Sequence, residues 1–311
     1  MESIFLKKST TFPCATTIAL GFFDGIHLGH RQLIKEMKKI ALEKKLVSCV
    51  VTFDNHPLNL VFPKYAPKLI SSIEEKVKIL QKLNIDKFVL LNFTEKLMNY
   101  DPEAFVRDIL VKQMKVKYIV VGFNYNFGYK GTGTAQLLKQ LGLKYDFEVL
   151  VVHPYEVENQ VISSTFIRNL ISSGKVDLVK KYLGRKFSIT GVVIKGKGLG
   201  RTFSIPTANI HIDENRITPE PGVYFTYVYH KEKKYVGLTN VGFNPTFSNH
   251  PFSIETYIYD FDEDIYNEKI TVEFQKRIRK EKKFKTVDEL MHQIKNDISL
   301  IRKKYMIIKD N

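Results

Sequence analysis

The stretch GFFDGIHLGHRQLI, residues 21–34, sets a glycine turn, an acid and two histidines directly ahead of an amphipathic helical pattern. His27 and His30 are three residues apart, so at the start of a helix their imidazoles project to one side. There each can donate to a phosphate oxygen, Gly25 and Gly29 let the backbone come close, and the helix N-terminus adds its own preference for anions. Two histidines at this spacing can also share a metal. The apolar strand-like run and the glycines that precede the pair favour phosphate.

A second group lies in GVVIKGKGLGRTFSIPTANI, residues 191–210, where glycines at 191, 196, 198 and 200 precede a Pro-Thr-Ala-Asn segment. A loop so rich in glycine can turn its amides onto phosphates, and Gly196 and Gly198 are the candidates for this. Thr207 and Asn209, two apart on a strand, share a face and offer hydroxyl and carboxamide oxygens together, as Mg²⁺ prefers. In a turn the same pair would only bond local backbone. A third element, ISSTFIRNLISSG (162–174), reads as a capped helix. Ser164 or Thr165 serves as N-cap ahead of Ile167, Leu170 and Ile171, and Gly174 terminates it. A capped helix start is also an anion site when an anion is present.

These groups need elements to hold them. In the first half, strand-like runs at 16–22, 47–53, 86–93, 118–123 and 147–152 alternate with helical patterns at 30–45, 72–83 and 101–114. Asp101 is the cap and Pro102 the first helical residue of the last of these. Such alternation predicts a parallel sheet with helices on both faces, whose ligands bind at the C-terminal ends of the strands, where GFFDGIHLGH falls. After residue 184 the pattern changes. Runs at 187–194, 222–230, 234–242, 253–261 and 269–278 follow one another with turns and no helix between them, which predicts an antiparallel sheet curled into a small barrel. A final helix with Val287, Leu290, Met291, Ile294, Ile298 and Ile301 on one stripe would cover one side of it. The domains are therefore expected at 1–184 and 185–311.

Of the 311 residues, 44% are hydrophobic and 12% aromatic, enough to fill two packed cores and unlike a disordered chain. Cys14 and Cys49 are the only cysteines, too few for a disulfide framework, and no apolar run is long enough to span a membrane. With no signal-type h-region at the start, a cytoplasmic location is expected. The net charge of +15 attracts polyanions without choosing among nucleic acid, acidic membrane and phosphorylated small molecules.

The motifs carry a resemblance that spans nearly the whole chain. GFFDGIHLGH, TFDNHP (52–57), VGFNYNFG (121–128) and ISSTFIRNLISSG, followed by RTFSIPTANI (201–210), PGVY (221–224), TNVGFNPTF (239–247) and IETYIYDFDEDIY (254–266), resemble in order and place the bacterial bifunctional riboflavin kinase/FMN adenylyltransferase family. The resemblance implies a Rossmann-like nucleotidyltransferase domain followed by a riboflavin kinase barrel. It implies riboflavin, FMN and two ATP molecules as small-molecule substrates, FAD as the final product, and Mg²⁺ as metal. Gly21, Phe22, Asp24, His27, His30, Asn124, Ser164, Thr165 and Arg168 would form one nucleotide site, with His27, His30 and Arg168 acting on the phosphates. Phe53, Pro57 and Phe62 would line the flavin side. In the second domain Thr207 and Asn209 would bind Mg²⁺ with ATP, Glu255 would be the catalytic carboxylate, and Arg279 would lie near flavin or phosphate.

Four positions depart from the family pattern: Asn55 stands for a proline, Phe166 for Arg or Lys, Ser204 for a glycine, and Asn267 for a glycine. None removes a proposed chemical group. Two other readings remain at this stage: retention of only one activity, or a nucleic-acid-binding protein on a nucleotidyltransferase-like fold, to which the basic stretch QKRIRKEKKFK (275–285) would contribute.

Overall fold

The computed structural model describes residues 1–7, 10–196, 205–243 and 252–306, and the chain divides into two compact units, Met1–Ser164 and Thr165–Asn311. In the first unit, β1 (Glu2–Phe5), β2 (Thr16–Leu20), β3 (Val47–Phe53), β4 (Lys87–Leu91), β5 (Val116–Gly122) and β6 (Glu148–Val152) form one parallel sheet. Its order is β1-β4-β3-β2-β5-β6. The chain steps outward from β2 through β3 to β4, then returns to the other side of β2 with β5. That reversal opens a crevice at the C-terminal ends of β2 and β5, the place where such sheets bind ligands.

Residue alternation along the strands builds two cores. Ile18, Leu20, Cys49, Val51, Ile119 and Val121 face one side, with the helical residues Val106, Leu110, Leu138 and Leu141. Ala19, Val50, Phe88, Leu90 and Val120 face the other, against Leu33, Ile34 and Met37 of α1 (Leu28–Lys44) and Leu80 of α2 (Ile73–Lys82). Each α-helix has a local cause. The α2 start is a full capping box between Ser72 and Glu75. Asp101 accepts from the Ala104 N–H at 2.9 Å ahead of Pro102, opening α3 (Pro102–Ala104), which runs on through Phe105–Gln113. Thr134 caps α4 (Ala135–Tyr145). Helices on both faces make this the layered α/β domain expected from the alternation.

The second unit contains α5 (Ser164–Ser172), from its second residue onward, and α6 (Val176–Leu183), followed by six strands of one sheet and a terminal helix. The strands are β7 (Ser188–Ile194), β8 (Thr207–His211), β9 (Gly222–His230), β10 (Lys233–Gly242), β11 (Ser253–Ile258) and β12 (Lys269–Lys280). They close into an antiparallel barrel, ordered β7-β8-β11-β10-β9-β12. Along β11, Ile254, Thr256 and Ile258 are buried while Ser253, Glu255 and Tyr257 are only partly covered, so the first set fills the barrel and the second lies on its wall. Inside, the hydroxyls of Thr226, Thr239 and Thr256 form a chain at 2.8 and 3.0 Å, which lets buried polar atoms satisfy one another.

The terminal helix α7 (Val287–Ile301) covers one outer side, where Ile298 and Ile301 pack with Val223, Phe225 and Leu238. The N-terminal end of its predicted stripe is less buried than the pattern implied, with Val287 36% exposed. The helix is instead anchored by a buried acid, Asp297, that pairs with Arg279 of β12 at 2.8 Å.

Candidate active sites

The first site grows from the loop after β2. Three of the four residues from Phe23 to Ile26 take positive φ: Phe23 at 51°, Gly25 at 79° and Ile26 at 42°. For an isoleucine this is a genuine outlier, and such strain persists only where surroundings impose it. The surroundings are visible. Phe23 and Ile26 are fully buried and anchor the loop to the core below. From the neighbouring segment, the Ile70 N–H donates to the Asp24 carboxylate at 2.9 Å, the Ser71 N–H donates to it at 3.1 Å, and the Gly25 N–H donates to the Ser71 hydroxyl at 2.9 Å. The Ser164 hydroxyl donates to the Asp24 carbonyl at 3.0 Å.

The loop delivers the two histidines as a stacked pair, ring centroids 3.6 Å apart and planes 17° from parallel. His27 is the N-cap of α1: its Nδ1 accepts from the His30 N–H at 3.3 Å, which leaves Nε2 as the donor. Gly29 makes the stack possible, since a Cβ there would lie 3.2 Å from the His27 ring. His30 is partly exposed, and Phe23 meets its ring edge-on at 5.2 Å. Its Nδ1 is nevertheless buried with no hydrogen-bond partner. Burial first, and then the charges of His27 and Lys76, hold the His30 imidazole well below the ordinary histidine range. In the free protein this ring is neutral at pH 7. The doubly protonated donor expected beside a polyphosphate therefore requires the polyphosphate to be there.

Around this pair the structure gathers some predicted residues and gives others different work. Ser164 touches the loop. Asn124 is exposed just beyond β5, on the other side of the crevice-forming reversal. Asp24 is 2% exposed and spends its carboxylate on the loop's backbone clasp. The Phe22 carbonyl accepts from the Thr52 hydroxyl at 2.9 Å and the Lys76 ammonium at 2.8 Å, and its ring meets His56 of TFDNHP edge-on at 4.6 Å. Gly21 packs against Phe23, whose ring a Cβ at that position would crowd at 3.2 Å. Phe53 meets Phe93 edge-on, Pro57 opens a short helical turn (Pro57–Val61), and Phe62 is 56% exposed. Thr165 and Arg168 belong to the second unit, where the Arg168 guanidinium donates to the Thr165 hydroxyl at 3.4 Å.

The second site lies on the barrel wall. In register, Asn209 of β8 stands opposite Glu255 of β11, and Asn240 of β10 stands opposite Glu255 on the other side. Thr207 is two residues from Asn209, so Thr207, Asn209, Glu255 and Asn240 occupy one face. The Ser253 hydroxyl donates to Glu255 at 3.0 Å. Gly196 presses on Asn209, since a Cβ there would come 2.9 Å from its carboxamide nitrogen. Gly198 and Ser204 lie outside the described residues. Among the described residues no three His, Cys, Asp or Glu side chains cluster as metal ligands. Hydroxyl and carboxamide oxygens beside one carboxylate are a donor set that fits Mg²⁺ completed by substrate phosphates and water.

Two family models match the chain in succession: FAD synthetase over residues 9–166 and riboflavin kinase over residues 183–305. Curated proteins named bifunctional riboflavin kinase/FMN adenylyltransferase align end to end. The one from Listeria monocytogenes is 36% identical over 96% of this chain and 96% of its own length, and the one from Buchnera aphidicola of Acyrthosiphon pisum is 36% identical over 95% of each. This chain belongs to the bifunctional riboflavin kinase/FMN adenylyltransferase family. A crystal structure named as a macrolide-efflux protein, from Streptococcus pneumoniae, has the same fold, with a TM-score of 0.86, 34% identity and coverage of 98% of this chain and 100% of that one. Its name differs from those of the curated relatives, and no helix among the described residues here is long and apolar enough to cross a membrane.

Within the riboflavin kinase/FMN adenylyltransferase family pattern, the described departures have local explanations. Asn267 takes φ 63°, a left-handed geometry that asparagine tolerates in place of glycine. Phe166 packs edge-on against Tyr182 at 4.8 Å, and the Asn55 carboxamide accepts from the His56 N–H at 2.9 Å. Arg279 has an occupation that the sequence reading did not foresee, since its Nε and Nη2 both reach Asp297, at 2.9 and 2.8 Å. In the same basic stretch Arg277 pairs with Glu220 at 2.6 Å. Both arginines are thereby neutralised within the fold. Ser71 and Lys76 lie outside the quoted motifs, and Asn240 lies within TNVGFNPTF without having been singled out. Lys76 left a trace in the sequence as a charge on the same helical stripe as Ile73, Val77 and Leu80.

Proposed function

We propose that this family member divides two ATP-dependent steps between its units, adenylylating FMN at the His27–His30 loop and phosphorylating riboflavin on the barrel wall at Glu255. The observation that carries the first assignment is the stacked histidine pair on a strained, clasped loop at the strand-order reversal, with a buried nitrogen lacking a partner. A phosphate monoester such as FMN is already anionic at neutral pH, so its attack on the α-phosphate of ATP needs no general base. The step needs placement and donors for charge developing on the α-phosphate and on departing pyrophosphate. His27 Nε2, His30 and the N-terminus of α1 are suited to supply them. Ser164 holds the loop in register. The family pattern adds Arg168 and Thr165 to the phosphates and Asn124 to the nucleotide. Phe53, Pro57 and Phe62 serve as flavin-side surface.

Riboflavin phosphorylation differs because its nucleophile is a primary alcohol, whose proton must leave as the phosphoryl group arrives. Glu255 is the acceptor in this reading, held by Ser253 and flanked in register by Asn209 and Asn240. Thr207 and Asn209 would hold Mg²⁺, which when bound neutralises phosphate charge, and Gly196 brings the glycine loop onto that pair. The domain boundary belongs near 184/185. Helix α6 groups with the barrel because it packs on β12, although it precedes the riboflavin kinase match. Two free cysteines, one of them exposed, accord with a reducing cytoplasm. The test is incubation with riboflavin, ATP and Mg²⁺ followed by chromatography: sequential FMN and FAD support the reading. A preparation that makes neither, and instead carries nucleic acid and elutes from heparin only at high salt, overturns it.

A further inference from the structure

Arg31 follows His30 at the close of the first turn of α1 and is partly buried. Its Nε donates to the Ile26 carbonyl at 3.3 Å, which holds the guanidinium against the strained turn that leads into His27. No acid answers its charge. The residues three and four away along the helix are His27, Leu28, Ile34 and Lys35, and no carboxylate among the described residues pairs with it. Burial alone acts on the guanidinium and pulls its pKa down. A cation in the first turn also opposes the helix dipole. The two Nη groups bond no protein atom among the described residues and reach solvent. The bond to Ile26 does not explain the charge either. It occupies one of five N–H donors, and the amide nitrogen of a glutamine, which lies as many bonds from Cα as Nε does, would supply it uncharged. On the preceding residue the buried Nδ1 of His30 is a second polar atom that the fold leaves unsatisfied.

We propose that Arg31 is a further phosphate-binding residue of FMN adenylylation, its Nη groups forming a fork that receives a substrate phosphate at the His27–His30 loop. The proposal rests on reading that loop as the site of adenylyl transfer. Both substrates of the step bring phosphate there, ATP as the triphosphate and FMN as the monoester. A planar guanidinium matches two oxygens of either, as a point charge does not. With Nε fixed on the Ile26 carbonyl, the fork is held in place before the phosphate comes, so less freedom is lost on binding. The phosphate supplies the counter-charge that neither the helix nor its neighbours provide, and what costs stability in the free protein becomes affinity in the complex.

The experiment uses the full chain as Arg31→Gln and Arg31→Lys. It measures kcat, KM for ATP and KM for FMN in FMN adenylylation, inhibition of that step by inorganic pyrophosphate, and the urea midpoint, with riboflavin phosphorylation as a control on the second unit. Arg31→Gln keeps the donor to Ile26 and removes the charge. It should raise KM for ATP or for FMN about tenfold, the scale of one lost charged hydrogen bond, with little change in kcat, and Arg31→Lys should recover part of the loss. A raised KM for ATP with equally weakened pyrophosphate inhibition assigns the fork to the triphosphate, and a raised KM for FMN alone assigns it to the monoester. If both KM values and pyrophosphate inhibition stay at the parent level in Arg31→Gln, Arg31 only staples the loop and the proposal is overturned. If the His27→Ala/His30→Ala variant still makes FAD, the underlying site assignment fails, whatever Arg31 does.

Discussion

Asp24→Ala tests how the loop that carries the histidines is held. The Asp24 carboxylate is 2% exposed and accepts from the Ile70 N–H at 2.9 and 3.1 Å and from the Ser71 N–H at 3.1 Å. Ile70 and Ser71 are each 1% exposed, so neither N–H can turn to water once the acceptor is gone. Leaving two buried donors unsatisfied costs about 1–3 kcal/mol each, roughly 4 kcal/mol together. This is a large part of the roughly 5–15 kcal/mol that holds a domain folded. With a urea dependence of about 2 kcal/mol per molar, the midpoint of the transition should fall by ~2 M. Asp24→Asn, which keeps one acceptor oxygen, should fall about half as far. The assay is urea unfolding followed by circular dichroism, paired with both activities in the absence of urea. FMN adenylylation should drop further than riboflavin phosphorylation, because the relaxed turn releases Phe23 and Ile26 from positive φ. Unfolding within about 0.5 M of the parent, together with unchanged FAD formation, would refute the clasp.

Gly29→Ala should lower FAD formation about tenfold while leaving stability equal or higher, because alanine favours a helix by roughly 0.8–1 kcal/mol but its Cβ meets the His27 ring at 3.2 Å; steady-state rates and a thermal melt on one preparation check both halves. The pH dependence of stability follows from His30, held in the fold below its ordinary value of 6.5. Below that value the unfolded chain binds a proton that the folded one refuses, so this contribution is complete above pH 6.5 and is lost as the pH falls toward the folded-state value. The slope from this one site is at most about 1.4 kcal/mol per pH unit, and urea midpoints at pH 7.5 and 5.5 should differ less in His30→Ala than in the parent.

The sequence revealed the layers well because hydrophobic periodicity is a local property. Runs predicted at 47–53 and 222–230 are the observed β3 and β9. It missed β1, four largely exposed residues at the sheet edge whose strand character comes from pairing with β4 rather than from their own pattern. It also placed the cap of α5 one or two residues late, since that helix begins at Ser164. The histidine pair was legible from its spacing, but the stack was not, because it depends on Gly29 and on His27 acting as cap. On the chemical side, the partners of Asp24 and Arg279, Ile70 and Ser71 for one and Asp297 for the other, are long-range and no motif encodes them. The Glu255, Asn209 and Asn240 row is a register property of three strands, which no single motif encodes.

In the proposed function the two reactions use separate groups, imidazoles where the nucleophile carries no proton to lose and a carboxylate where it does. The most direct measurement mixes two purified variants, His27→Ala/His30→Ala and Glu255→Gln, with riboflavin, ATP and Mg²⁺ and separates the flavins by chromatography. Alone, the first should stop at FMN and the second should leave riboflavin untouched; together they should make FAD, the second adenylylating the FMN that the first releases. No FAD from the mixture, with both variants folded, would contradict the account.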